Sequence, residues 1–170
     1  MSRSGRSCAW TPTPVETIRS SARSAAGHNL WYSGKHHRHG GNVQALTDPS
    51  GFPVWTSPVE PGSVHDLTAA RTHAFPALYP VAVRGLPVLA DKSYTGAGIG
   101  VHVPAKGSNL CPDTRARNLL VTALRAPTER SHALLKSTWK VLRRVTVCPW
   151  RIGHVTAAAL VLTTMQRGRR

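Results

Sequence analysis

The sequence LPVLAD, residues 86–91, decides the interpretation of the fold. Residues 86–90 form a short, continuous apolar run, which is typical of a central strand that is buried on both faces. Asp91 follows that run directly, and functional side chains of open α/β sheets gather where strands end. The chain holds only seven Asp and Glu against 22 Lys and Arg, so this carboxylate is a candidate for catalysis. A turn-forming aspartate is an equally good interpretation of the position alone.

The remaining pattern predicts an α/β fold, with helices packed on a mixed sheet. Residues 42–47 and 52–57 are predicted strands, and the turn sequence Asp48-Pro49-Ser50-Gly51 joins them into a hairpin. A short edge strand is predicted at residues 101–104. Helices are predicted over residues 64–73, from 113 or 114 to 125, over 127–143 and over 152–165. Pro127 suits the first turn of the third helix, so it separates two helices in this interpretation.

The two ends of the chain differ from its middle. Residues 1–28 are rich in Ser and Arg and poor in large aliphatic residues, which predicts a poorly ordered segment with at most an irregular strand near residues 10–15. Residues 29–166 are expected to form one domain, since 170 residues are enough for a single hydrophobic core. Residues 167–170 are predicted to be an exposed basic tail that adds nonspecific affinity for nucleic acid.

Charge and cysteine usage restrict the class of protein further. The formal net charge of +15 favours polyanionic partners, because Lys and Arg displace counterions from phosphate groups. A basic ribosome-associated protein shares that property. The three cysteines have no zinc-site spacing, and their odd number argues against a disulfide framework, so we expect a cytoplasmic protein. No apolar run of about 18 residues predicts a membrane span.

Glu129 and Lys136 offer chemistry that complements Asp91. They are seven residues apart on one predicted helix, so they return to nearly the same face. A carboxylate and a lysine side by side can hold a metal ion and a DNA phosphate. A first-turn glutamate is also explained by the helix dipole alone. Because Arg125 precedes Pro127, we do not expect it to share a helical face with Glu129.

Two further groups of polar residues are candidates for binding. The cluster Lys35-His36-His37-Arg38-His39 predicts phosphate contacts or a solvated basic loop rather than a transition-metal site, because its spacing is irregular. His65-Asp66 suggests a metal site, but an aspartate in the first turn of a helix is more simply a cap.

Five motifs, in order and at plausible spacing, resemble the DDE transposases of bacterial insertion sequences. The subgroup is the insertion-sequence-five type, which is related to Harbinger elements. The resemblance covers about residues 29–165. The motifs are Tyr32-Ser33-Gly34-Lys35, His39-Gly40-Gly41-Asn42-Val43-Gln44, Pro61-Gly62-Ser63-Val64-His65-Asp66, Leu89-Ala90-Asp91-Lys92-x-Tyr94 and Glu129-Arg130-x-x-x-x-Leu135-Lys136.

The resemblance implies an RNase H-like fold in which three acids hold two divalent ions, Mg²⁺ or Mn²⁺, for cleavage and strand transfer of DNA. It makes Asp91 the second acid and Glu129 the third, and it places Asp66 and His65 near the site as accessory residues. The implied partners are the transposon ends and the target DNA, and a homo-oligomer is compatible with it. The residues expected to contact DNA are Lys35, His36, Arg38, Arg130 and Lys136.

The first acid of the family has no counterpart here. The family carries it in an Asp-Gly-Thr segment on the opening strand, but residues 7–13 contain no acid, and the nearest one is Glu16. We therefore expect the first strand to be degenerate or missing, metal binding to be weakened, and the gene to be a truncated or frameshifted copy. Two hypotheses remain: a transposase catalytic domain with reduced or no activity, and a nonenzymatic nucleic-acid-binding remnant. A basic ribosome-associated protein explains the charge but not the motifs.

Overall fold

The computed structural model describes residues 8–168, which contain seven strands and four α-helices around one sheet. The strands are β1 (Cys8–Thr17), β2 (Tyr32–Ser33), β3 (Arg38–Thr47), β4 (Pro53–Pro61), β5 (Val88–Leu89), β6 (Val101–His102) and β7 (Arg144–Val145). The helices are α1 (Asp66–His73), α2 (Phe75–Val83), α3 (Pro112–Thr138) and α4 (Ile152–Gly168). No helix within residues 8–168 combines the length and hydropathy needed to cross a membrane.

The sheet has the spatial order β4-β3-β1-β5-β6, and β1 is its centre. β1 runs antiparallel to β3 from Ala9↔Thr47 to Glu16↔Gly40, and it runs parallel to β5. The two-stranded pairings of β2 with β3 and of β7 with β1 complete it. The predicted α/β fold with a mixed sheet flanked by helices is confirmed, and so is the predicted β3–β4 hairpin.

The prediction that the chain is poorly ordered up to residue 28 is wrong for residues 8–17, since they form the central strand. The first strand is therefore present. Burial explains its order: Trp10 and Val15 are 1% and 0% exposed and pack into hydrophobic clusters on opposite faces of the sheet. Residues 1–7, at the start of the segment predicted to be poorly ordered, lie outside the described residues.

Pro12 and Pro14 obscured this strand in the sequence, because proline is disfavoured inside a sheet. The backbone N–H of Cys8 donates to the Pro87 carbonyl on the β5 side. N–H groups alternate along a strand, so residues 12 and 14 face that same side. Among the described residues, β1 is paired on that side only at residues 8–9, with β5, and at residues 16–17, with β7. Both prolines lie in the gap between the two partners, where no ladder hydrogen bond is lost.

The prediction that Pro127 separates two helices is also wrong, because α3 is one helix of 27 residues with Pro127 in its interior. Side-chain hydrogen bonds hold the helix on both sides of the proline. Asn118 bonds both backbone groups of Ala105, and Lys136 donates to the Pro14 carbonyl. These contacts offset the hydrogen bond that a proline removes from a helix.

The chain end near residue 167 is exposed, as predicted, but residues 167 and 168 belong to a helix. Arg167 belongs to α4, and its Nη1 lies 3.2 Å from a carboxylate oxygen of Asp48. Its guanidinium also lies 4.1 Å from the centroid of the Phe52 ring. These contacts join the C-terminal turn of α4 to the β3–β4 hairpin. Residues 169 and 170 lie outside the described part of the chain.

The tip of the β3–β4 hairpin touches α3 at Gly51, which has a φ of +82°. A Cβ atom at this position would lie 2.0 Å from the carbonyl oxygen of Pro127. Only glycine satisfies both the positive φ and the close approach of the two backbones.

We predict that Gly51→Ala lowers the free energy of unfolding by more than about 3 kcal/mol, because it adds a steric overlap to the cost of about 1–2 kcal/mol for a left-handed alanine. Gly27→Ala is the matched control, since Gly27 has a φ of +79° and no atom within 4 Å of a built Cβ. Urea unfolding measures both variants. If Gly51→Ala and Gly27→Ala lower the free energy of unfolding equally, the contact between Gly51 and α3 is not rigid.

Candidate active site and nucleic-acid interface

Asp91 lies two residues beyond β5 and caps the 3₁₀ turn Lys92–Tyr94. Its Oδ1 accepts hydrogen bonds from the backbone N–H of Ser93, at 2.6 Å, and from the Ser93 hydroxyl. The parallel register Cys8↔Val88 and Ala9↔Leu89, continued by two residues, places Asp91 level with Thr11 of β1. The central strand therefore offers no carboxylate beside Asp91.

Glu129 lies on the surface of α3, where 73% of its side chain is exposed. Its Oε1 is 3.9 Å from Nη2 of Arg125, so the two residues do share a helical face, contrary to expectation. Only one of the two groups is buried, since the Arg125 side chain is 12% exposed, and the contact is a loose one because the 3.9 Å separation is longer than a hydrogen bond. Lys136 differs in environment, because it is half-buried against β1. The predicted pairing of Glu129 with Lys136 has no support in these contacts.

Glu16 cannot replace the missing acid. It lies five residues beyond Thr11 on β1, which is about 16 Å along an extended strand. Its carboxylate pairs with Arg38 at the far end of the strand from β5.

The residues present do not fit a two-metal centre. Within residues 8–168, no three His, Cys, Asp or Glu side chains lie close enough together to hold a metal ion. The Asp66 carboxylate is already bonded on both oxygens, to Lys35 Nζ at 2.6 Å and to Asn42 Nδ2 at 2.9 Å. Divalent ions of the Mg²⁺ type are held in near-octahedral geometry by one or two carboxylates together with water and substrate phosphates, and the β1–β5 register places no second carboxylate beside Asp91 on the central strand.

His65 and Asp66 lie at the start of α1, where the sequence predicted a first-turn aspartate that caps the helix. His65 is the N-cap of α1, since its Nδ1 accepts the backbone N–H of Leu67 at 3.2 Å. Asp66 is in the first turn, 7% exposed, and it pairs with Lys35 instead of capping the helix.

A chain of buried hydrogen bonds leads from Asp66 to the turn that carries Asp91. Asn42 donates to Asp66, and Gln44 Nε2 donates to Asn42 Oδ1 at 2.7 Å. Gln44 Oε1 then accepts from Trp10 Nε1, at 2.7 Å, and from the Tyr94 hydroxyl, at 2.6 Å. Burial raises the pKa of Tyr94 strongly, and the charges of Asp66 and Asp91 raise it further. Both carboxylates therefore lie within electrostatic reach of the Tyr94 hydroxyl.

Sequence reasoning missed this network. A signal was available, because Asn42 and Gln44 are two polar residues at alternate positions of a predicted strand and therefore point to one face. Buried amides of this kind require complete hydrogen bonding. The partner residues Trp10 and Tyr94 are distant in sequence and could not be inferred from the pattern.

A pocket of about 520 Å³ lies between β1, the β2–β3 segment, the start of α1 and α3. It collects four of the five predicted DNA-binding residues, together with four other charged or titratable side chains. The former are Lys35, His36, Arg38 and Lys136, and the latter are Glu16, His39, His65 and Asp66. The fifth predicted residue, Arg130, lies elsewhere, in a groove between α3, α4 and the β3–β4 hairpin.

Lys136 enters the pocket from α3 and donates to the Pro14 carbonyl at 2.7 Å. Burial lowers the pKa of its ammonium, while the charge of Glu16 acts in the opposite direction. One helical turn earlier, His132 Nε2 lies 3.2 Å from Thr13 Oγ1. Burial, with a smaller contribution from the Lys136 charge, lowers the pKa of His132 to about 4.

Comparison with known proteins gives one match. A family model described as DDE superfamily endonuclease matches residues 13–164. Searches of curated proteins and of solved structures found no match. The family match spans most of the described chain and agrees with the RNase H-like arrangement of the sheet and helices.

We predict that His132 makes the fold less stable in acid. Its folded pKa of about 4 lies below the value of about 6.5 for an unfolded histidine. The unfolded chain therefore binds more protons between pH 6.5 and 4. As the pH is lowered from 6.5 to 4, the free energy of unfolding decreases by at most about 3 kcal/mol. His132→Gln should remove this part of the pH dependence in urea unfolding at pH 7 and 4.5. His154→Gln, at an exposed position of α4, is the control. An unchanged acid response in His132→Gln would contradict the assignment.

Proposed function

Because this chain belongs to the DDE superfamily endonucleases, we propose that it is a transposase catalytic domain that binds DNA through the basic pocket and has lost cleavage and strand transfer. The observation that carries the proposal is the convergence of Lys35, Arg38 and Lys136 on one pocket while no acid of β1 stands beside Asp91. The first fact supports DNA binding, and the second supports the loss of cleavage.

The pocket cations are available to a phosphate group. Arg38 and Lys35 are 68% and 52% exposed, and each pairs with one carboxylate, Glu16 and Asp66 respectively. The Arg38–Glu16 pair is exposed on both sides, and exposed ion pairs contribute about 0–1 kcal/mol, so a DNA phosphate can displace Glu16 at small cost. The Asp66 side chain is only 9% exposed, so Lys35 meets a phosphate while it remains paired with Asp66. The net charge of +15 favours the approach of a polyanion from all directions.

Lys136 is suited to orienting the DNA rather than to nonspecific attraction. It is half-buried, and its ammonium is held by the Pro14 carbonyl. A fixed ammonium loses little side-chain entropy when it meets a phosphate. Its place beside β1 supports a position for the DNA backbone along the central strand.

The nonenzymatic alternative is favoured by a specific observation, namely the absence of a three-acid group among residues 8–168. A divalent ion in this family would activate water and stabilise charge on phosphate. Because the side chains present do not fit such an ion, binding of DNA is the activity that we assign to the chain.

We predict that Arg38→Ala weakens binding of a DNA duplex and lowers the slope of log K against log salt by about 0.9, the value for one lost phosphate contact. Arg84→Ala, an exposed arginine that follows α2 and lies outside the pocket lining, is the control and should change neither quantity as much. Fluorescence anisotropy between 50 and 200 mM salt measures both. Equal effects of the two substitutions would argue against a localised interface.

We also predict that the wild-type chain does not nick supercoiled plasmid in Mn²⁺, and that Asp91→Ala behaves in the same way while binding of DNA persists. Agarose electrophoresis of the plasmid gives the answer. Nicking by the wild type that disappears in Asp91→Ala would mean that a working metal site survives, and it would overturn the proposed loss of cleavage.

A further inference from the structure

We infer that Thr11 is the position of the central strand at which an acid is missing beside Asp91, and that a carboxylate at this position creates a divalent-cation site with Asp91. The residues present lack the first acid that the metal chemistry of the family requires. The consequence for metal binding is independent of DNA binding by the basic pocket.

The sheet register places Thr11 next to Asp91. Cys8 pairs with Val88 and Ala9 with Leu89 in the parallel β1–β5 ladder. Two further residues along each chain bring Thr11 and Asp91 to the same level, and neighbouring strands are about 4.8 Å apart. The next residue of β1 on the same face, Thr13, is about 6.6 Å farther along the strand.

The alternation of side chains places the two residues on the same face of the sheet. Cys8, Trp10, Val88 and Ala90 all belong to the hydrophobic cluster that packs against α1 and α2. The residues between and after them therefore face the opposite side, where α3 lies. Thr11 is 4% exposed and belongs to this second set.

Helix α3 brings polar groups to the same place. His132 contacts Thr13, and Lys136 contacts Pro14. Thr128 lies four residues earlier on the same helical face. Four helical residues rise about 6 Å, which is the length of about two strand residues. Thr128 is therefore level with Thr11.

Unsatisfied donors in this region support a missing acceptor. Thr128 is 1% exposed, and its Oγ1 has no hydrogen-bond partner among the described residues. Arg125 lies one turn earlier on α3, and its Nε is also buried without a hydrogen-bond partner among residues 8–168. The Thr11 hydroxyl makes only a 3.5 Å contact with the Pro12 carbonyl. Buried donors without acceptors are uncommon in folded proteins, and a carboxylate on β1 would provide the oxygens.

A threonine hydroxyl is neutral, so it does not displace the water molecules that coordinate a divalent ion. An aspartate at the same position would place a second carboxylate beside Asp91. Two neighbouring carboxylates repel each other, and a divalent cation relieves that repulsion. Such a cation binds the folded state alone and therefore stabilises it.

The test compares thermal unfolding of Thr11→Asp with and without Mn²⁺, in the absence of DNA. We expect Mn²⁺ at ten times its Kd to raise the Tm of Thr11→Asp by about 3–6 °C. The wild type, Thr11→Asn and Thr17→Asp should show no comparable rise. Thr11→Asn can accept a hydrogen bond but carries no charge, and Thr17→Asp carries the charge on the same face of β1 but about 20 Å farther along the strand. The double variant Thr11→Asp/Asp91→Ala should lose the response.

Thr11→Cys keeps the experiment decisive if the buried aspartate prevents folding. Cysteine is close to threonine in size, and Zn²⁺ binds thiolate and carboxylate together. A Zn²⁺-dependent rise in Tm that exceeds that of Thr17→Cys and disappears with Asp91→Ala would support the inference. A metal response equal to that of the Thr17 control, in the aspartate or the cysteine series, would overturn it. Neither result bears on the Arg38→Ala binding measurement, so failure of the two proposals can be told apart.

Discussion

The side-chain amide of Gln44 is the constraint on which the arrangement of this domain depends. Gln44 is fully buried at the middle of the sheet, and it bonds one residue from each of three segments. It accepts from Trp10 on β1 and from Tyr94 in the turn after β5, and it donates to Asn42 on its own strand. An amide is the only neutral side chain that both accepts at one end and donates two protons at the other. Gln44 therefore adds a side-chain tie between the Asp91 turn and the central strand to the backbone pairing of β1 with β5.

The same network connects the interior of the protein to its charged surface. Asn42 passes the chain of hydrogen bonds to Asp66, and Asp66 holds Lys35 at the edge of the basic pocket. The side chains in this series are joined by donor–acceptor pairs. These hydrogen bonds offset the free-energy cost of burying the polar groups. The region between β1 and α3 is different, because Thr128 and Arg125 keep unpaired donors there. Among the described residues, the unpaired Thr128 hydroxyl therefore lies on the face of the sheet opposite the Gln44 network, the same face as Thr11.

Local patterns in the sequence predicted much of this fold. The apolar run before Asp91, the β3–β4 hairpin with its Asp48–Gly51 turn, and the final helix were all found from periodicity and turn residues. β1 was predicted at most as an irregular strand near residues 10–15, because the direction in which Pro12 and Pro14 point depends on the positions of β5 and β7, which no local pattern reveals. The continuous helix through Pro127 was missed for a related reason. Its stability comes from tertiary contacts at Asn118 and Lys136, not from helix propensity.

The two prolines of β1 also bear on how this protein avoids aggregation. A central strand with an open stretch between two partners is an edge inside the sheet, and unpaired edges are templates for strands of other chains. Pro12 and Pro14 have no backbone N–H, so the side of β1 that faces the gap offers no donors at these two residues. An incoming strand therefore cannot form a complete ladder of hydrogen bonds there. The residues that made the strand hard to recognise therefore leave it a poor template for intermolecular pairing.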